Sequence, residues 1–167
     1  MSDAWAVEDP AGGRTFGFLL QDVARLLKRH FERRARQAGL PITRRQAAVM
    51  IYVSRHEGVS QAEVATRLDL EPISLVRLLD KLCEDGLMER HAHPTDRRVR
   101  TLWLTPAARP ALDSILRINR EIRSEAFAGL APVMRDAFID ALEHVKGNLA
   151  GEDVAGVEAI EVPSPSP

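Results

Sequence analysis

Positive charge gathers in one short run of this chain. From His93 to Thr105 the sequence reads HPTDRRVRTLWLT, with Arg97, Arg98 and Arg100 crowded behind Asp96. Guanidinium groups at that density suit phosphate oxygens, and they suit a narrow duplex groove where negative potential concentrates. A solvated loop is the plainer use of the same residues. Asp96 is repelled by phosphate, so it either pairs with a neighbouring arginine or serves as a turn former. A second polar group lies upstream in PISLVRLLDKLCED. At 100° per residue, Ser74, Arg77, Lys81 and Glu84 fall on one side of a helix, and Leu75, Val76, Leu79, Leu82 and Cys83 on the other. Ile73, Ser74, Arg77 and Lys81 are then the residues such a helix offers to a major groove. There an arginine can bond two guanine acceptors, and serine or lysine can reach bases or phosphates.

Other chemistry is weaker. His91 and His93 share a strand face, but no acidic residue or cysteine follows at ligand spacing, so phosphate contact or plain exposure outranks a metal site. His30, His56 and His144 are scattered. Cys83 is the single cysteine; it allows no intrachain disulfide, and on an apolar helix side it reads as an inert thiol. No nucleophile elbow surrounds Ser60, and no P-loop or dinucleotide fingerprint occurs. The expectation is a protein that is not an enzyme, with no cofactor and no metal.

The elements that position these groups are legible from patterning. Residues 1–14 read as a flexible arm broken by Pro10 and the Gly12-Gly13 pair. Phe16, Leu19, Leu20, Val23, Leu26, Leu27 and Phe31 form one helical apolar stripe, ended by Gly39 and Pro41. Thr43 and Gln46 form a capping box before a second helix, and Ser60 and Glu63 another before a short third. Pro72 fits the first position of the fourth helix, and Gly86 stops it. LMERHAH and VRTLWLT are strand-length and read as a two-stranded hairpin whose long tip holds the arginines. Thr105-Pro106 opens a long helix to about Phe127, in which Pro110 costs one backbone bond. A last helix runs from Pro132 to about Leu149. Residues 151–167, ending VPSPSP, read as a disordered tail.

Composition bounds the class. The 167 residues suit one domain with an added dimerisation module, and no apolar run reaches membrane-span length. The N-terminus lacks an apolar signal core, so the expected location is cytoplasmic. Net charge is −1, yet its distribution is uneven. Arg14 to Arg55 holds ten basic residues against Asp22 and Glu32, whereas acids outnumber bases ten to six from Pro106 onward. A basic half can present a positive face within a neutral total.

Two short helices, a tight turn and a basic-tipped hairpin make a helix-turn-helix with a wing. The run SQAEVATRLDLEPISLVRLLDKLCEDGLMERHAHPTDRRVRTLWLT resembles the winged core of the MarR family, especially its SlyA-like branch. The likeness is sharpest in SLVRLLDKL, in DRR and in the LT that opens the next helix. The family's Asp-x-Arg wing is met by Asp96 and Arg98. The resemblance implies a fold that is mainly α with a small β-hairpin wing. The winged helix-turn-helix core would span 42–105, flanked by dimerisation helices at 15–40 and 106–150. It also implies a homodimer, to which the faces of Leu112, Ile115, Leu116, Ile122, Phe138, Ile139, Leu142 and Val145 would contribute.

The implied activity is sequence-specific binding of double-stranded DNA, by a repressor of a pseudo-palindromic operator relieved by a small ligand. Arg44, Ser60 and Gln61 would contact the DNA backbone. His30, Arg34, Arg45, Gln46 and Met50 would line a cleft for a small aromatic carboxylate; Arg44 and Arg45 suit phosphate equally well. Ala47 stands where many SlyA-like relatives carry an aromatic residue, which leaves the ligand class open. Two alternatives stand beside this reading: an architectural DNA binder with little sequence preference and no effector, and an enzyme using the His91/His93 pair with a metal.

Overall fold

In the computed structural model of the protein, residues 15–96 and 98–151 are described; the N-terminal arm, Arg97 and almost all of the tail lie outside them. The chain divides into two compact units, the first ending at Ile122 and the second beginning at Arg123.

The first unit opens with α1, Phe16–Gln37. Its apolar stripe divides along its length. Phe31 and Ala35 are buried, whereas Phe16, Phe18, Leu19, Leu20, Val23 and Leu26 stay exposed. Gly39, at φ +66°, turns the chain out of the helix, a conformation glycine adopts without steric cost. Helix α2, Arg44–Arg55, begins with the full Thr43/Gln46 capping box. The Gln46 N–H donates to Thr43 Oγ1 at 3.2 Å, and the Thr43 N–H donates to Gln46 Oε1 at 2.9 Å. Strand β1, Val59–Ser60, leads into α3, Gln61–Arg67. Here the Glu63 N–H donates to Ser60 Oγ. The turn places Asp69 at φ +48° and hands over to α4, Pro72–Glu84, with Pro72 in its first turn.

Strands β2, Met88–Ala92, and β3, Arg100–Leu104, form the hairpin. The sheet has three strands rather than the expected two, in the order β1-β3-β2 and antiparallel throughout. Val59 faces Leu102, and Arg90 faces Leu102 from the other side. A two-residue strand carries too little alternation to be read from sequence; its pairing is set by β3.

The next helix also starts differently. Pro106–Ala108 form a 3₁₀ turn, and α5 runs Arg109–Ala126. Pro110 therefore sits in the first turn of α5, where N–H groups have no intrahelical partner, and the expected loss of a backbone bond does not arise. The Thr105 hydroxyl donates to the Gly86 carbonyl at 2.6 Å instead of capping the helix.

The core of this unit joins all its helices and the sheet. Phe31, Val49, Met50, Val53, Val64, Leu75, Leu79, Leu82, Met88, Leu102, Ile115 and Ile118 are its largest members. Ile115 and Ile122 belong to it, which corrects their assignment to a dimer face: both are closed off within the core. Leu116, on the opposite side of α5, remains exposed.

The second unit holds the last turn of α5 and α6, Pro132–Ala150. Phe127 and Phe138 meet edge to face at 5.8 Å, Arg123 lies over the Phe127 ring, and Arg135 Nε donates to the Leu130 carbonyl. No residue of α6 is buried, and Val133, Met134 and Phe138 are exposed.

Candidate nucleic-acid interface

Helix α4 is held by Leu75, Leu79 and Leu82, all fully buried. That anchoring turns Ile73 and Arg77 to solvent, with Ser74 half-buried at the edge. Val76 departs from its expected inward placement and is 44% exposed, because its direction lies about 100° from that of Leu75, beyond the edge of the buried stripe. Arg77 makes no ion pair or hydrogen bond with another described residue. Lys81 is different. Its ammonium contacts Asp85 at 2.7 Å and Glu84 at 4.0 Å, and the hydrogen bond and charge of Asp85 raise its pKa. Of the two cations on this face, Arg77 is the one with its donors open.

The hairpin tip is built from backbone bonds. The Asp96 carboxylate accepts the Arg98 backbone N–H at 2.9 Å, and the Val99 N–H donates to the Asp96 carbonyl. The His93 N–H donates to the Val99 carbonyl, closing the loop. Asp96 thus serves as a turn former toward Arg98; any pairing with Arg97 lies outside the described residues. Asp96, Arg98 and Arg100 are all exposed.

The sheet surface carries an aromatic group. Trp103 stacks on His91 with centroids 6.1 Å apart, and its Nε1 donates to Thr101 Oγ1. His91 Nε2 lies 2.9 Å from Glu89, and His93 Nδ1 accepts from Thr95, so the two histidines have separate neighbours. Among the described residues no group of three His, Cys, Asp or Glu could hold a metal ion.

The backbone-contact candidates fall into two kinds. Ser60 is half-buried and engaged in its cap, beside the half-buried Gln61 at the start of α3. Arg44 is half-buried, and desolvation lowers its pKa from the ordinary guanidinium value, although an arginine remains cationic at neutral pH. Arg45 is exposed.

The residues expected to line an effector cleft have different surroundings. Gln46 serves the α2 cap, and Met50 is fully buried in the core. Arg34 lies 3.3 Å from Glu121, and with Gln37, Ala38, Arg117 and Ile118 these two line an open depression of about 400 Å³. His30 is half-buried and contacts Arg33. A larger depression of about 500 Å³ is lined by Ser54, Glu57, Leu104, Arg109 and Leu112.

Sequence reading passed over Arg90. Its Nη1 donates to Asp80 Oδ1 at 2.6 Å, and its Nη2 donates to the Val76 carbonyl at 3.2 Å. A signal was available: Arg90 is two residues from buried Met88 and shares its face of β2, where a charge needs a partner.

A capped helix, a tight turn, a helix with one open polar face and a basic hairpin beside it define a winged helix-turn-helix protein. Residues 40–99 match the model of the MarR family, a stretch that takes in the helix-turn-helix and most of the hairpin. Solved structures agree in fold. The chain is similar to MarR at 21% identity, covering 84% of this chain and 94% of MarR with a TM-score of 0.75. It is similar to MepR of S. aureus, solved as a DNA complex, at 19% identity, covering 81% and 99% of the two chains with a TM-score of 0.74. The transcriptional repressor CouR, solved on a 23-mer DNA duplex, is 26% identical over 79% of this chain and 92% of its own, with a TM-score of 0.72.

Proposed function

We propose that the protein is a sequence-specific DNA-binding transcription regulator, acting as a homodimeric repressor of a pseudo-palindromic operator. The observation that carries the reading is the open face of α4, with Arg77 unpaired among the described residues and flanked by Ile73 and Ser74 beside a basic hairpin tip. Arg77 addresses a base in the major groove. Arg98 reaches the adjacent minor groove, with Arg97 and Arg100 on the flanking phosphates. The exposed apolar face of α1 supports a second copy as partner, since a row of six large side chains left in water is costly. The same motifs, SLVRLLDKL and the Asp96-x-Arg98 wing, favour the SlyA-like branch.

No described helix is long and apolar enough to cross a membrane. A regulator that reads chromosomal DNA would work in the cytoplasm. Relief by a small aromatic carboxylate is the finer part of the proposal. Arg34 and Arg117, both in contact with Glu121, are the cations such a ligand would meet.

The test is enrichment from a randomised duplex pool, followed by competition. A repeated palindromic sequence bound in excess of non-specific DNA is expected. Equal displacement by any duplex would instead establish an architectural binder. Benzoate added to the complex should lower affinity, and Arg34→Met should abolish that response.

A further inference from the structure

Helix α4 and the hairpin touch through more than the apolar core. Arg90 stands in the middle of β2, facing Leu102 of the neighbouring strand. Its guanidinium bridges to the exposed flank of α4, binding the Asp80 carboxylate at 2.6 Å and the Val76 main-chain carbonyl at 3.2 Å. The side chain is 26% exposed, and its Nε is closed off from water with no partner among the described residues. Both acceptors lie on one edge of α4, one turn apart. One planar fork therefore fixes both the distance and the rotation of the helix against the strand. Arginine suits this role better than lysine, whose ammonium presents no planar pair of donors. The same strand leads through Ala92 into the loop that carries Asp96 and Arg98.

We propose that Arg90 is a positioning residue that locks the recognition helix to the wing, so that Arg77 and Arg98 meet adjacent grooves in one register. This rests on the DNA-reading role proposed above. Two reading elements that move independently would each retain some contact but lose the benefit of simultaneous engagement. The lock holds its charge against Asp80, so it contributes register rather than phosphate neutralisation.

The experiment uses the full chain and the duplex it enriches from a random pool, with a shuffled duplex as reference. Binding is measured at several salt concentrations for wild type, Arg90→Met, Arg90→Lys, Asp80→Asn, Arg98→Ala, and for Arg90→Met and Asp80→Asn each combined with Arg98→Ala. Losing the lock should weaken the enriched duplex about tenfold, and the shuffled one far less, while the slope of log affinity against log salt stays at the wild-type value. Arg90→Lys should fail to restore binding. In the Arg98→Ala background the same changes should cost less than about threefold, because the wing then has no arginine to place.

A slope lowered by about one would make Arg90 a phosphate contact and overturn the proposal. Losses that simply multiply in the double variants would overturn it too. Should Arg90→Met not fold, as seen in its thermal melt, Asp80→Asn decides, since that side chain is half exposed and its loss leaves the core intact. Wild-type isotherms for Asp80→Asn would then sink the lock. Enrichment of no duplex by the wild-type chain would sink the DNA reading and this inference with it. Enrichment with unaltered lock variants would sink the inference alone.

Discussion

Arg77 is the residue proposed above to read a base. It projects from a helix whose other face is fixed by three buried leucines, so its direction is set while its donors meet no partner among the described residues. Replacing it with alanine should cost about 1–3 kcal/mol on the preferred duplex and relax choice at one position per half-site. An equal loss on all duplexes would mean phosphate contact.

Gly58 makes a different demand. It adopts φ +82°, donates its N–H to the Leu102 carbonyl, and a Cβ there would lie 2.9 Å from Trp103 Cζ2. Gly58→Ala should lower stability by about 1–3 kcal/mol in denaturant melts, with a changed Trp103 emission. An unchanged midpoint would show that the loop relaxes freely.

Cys83 is governed by burial, which pushes its thiol above the ordinary cysteine range; nearby Arg90 acts in the opposite sense. The folded state therefore holds this proton more tightly than the unfolded chain. Its stabilising contribution is complete below the unfolded pKa and is lost as pH rises through the folded one. Alkylation at neutral pH should be slower than for a free thiol and should accelerate on unfolding. Rapid labelling of the native protein would contradict this.

At the scale of elements, the helix-turn-helix depends on the turn between α3 and α4. Asp69 takes φ +48° there, and the Leu70 N–H donates to the Ala65 carbonyl at 2.9 Å. Aspartate tolerates the left-handed region; β-branched residues do not. Asp69→Gly should leave stability unchanged or raise it by up to about 1 kcal/mol, whereas Asp69→Val should lower it by about 1–2 kcal/mol. Thermal melts of the two variants check the contrast, and equal midpoints would show that the turn has rearranged. The sheet shows how one element determines another. β3 pairs on both sides, so Val59 and Ser60 become a strand through Leu102 and Thr101 rather than through any preference of their own. The hairpin tip is likewise set by bonds at Asp96, His93 and Val99, which leave the Arg98 side chain exposed.

At the scale of the whole molecule, the first half of α1 is an apolar surface with Phe18 72% exposed. Together with the exposed Val133, Met134 and Phe138 on α6, it predicts a homodimer. Sedimentation equilibrium over a wide dilution range should give a dimer, with thermal stability that rises with concentration. Phe18→Glu combined with Val23→Glu should shift the equilibrium to monomer and lower the melting temperature. A compact wild-type monomer at micromolar concentration would refute this assembly.

The sequence by itself determined the helices, their caps and the winged core, because those features are local. Thr43 and Gln46 are three residues apart, Pro72 fixes its own φ, and Leu75, Leu79 and Leu82 repeat at the helical period. It likewise put Arg77 on the open face and Arg98 between two strands. What only the tertiary structure decided are the contacts between elements distant in sequence. Periodicity assigns an apolar residue to a face but not to the partner that covers it, so Ile115 and Ile122 belong to the core although their pattern equally suits a dimer surface. Gln46 and Met50, expected to line a ligand cleft, are engaged in a helix cap and in the packed core, which their positions in the sequence do not reveal. Arg90 meets Asp80 ten residues away, on another element, and no spacing rule links a strand arginine to one edge of a helix. Local steric and hydrogen-bonding preferences act within a few residues, whereas such pairings arise only once burial has brought separate elements together.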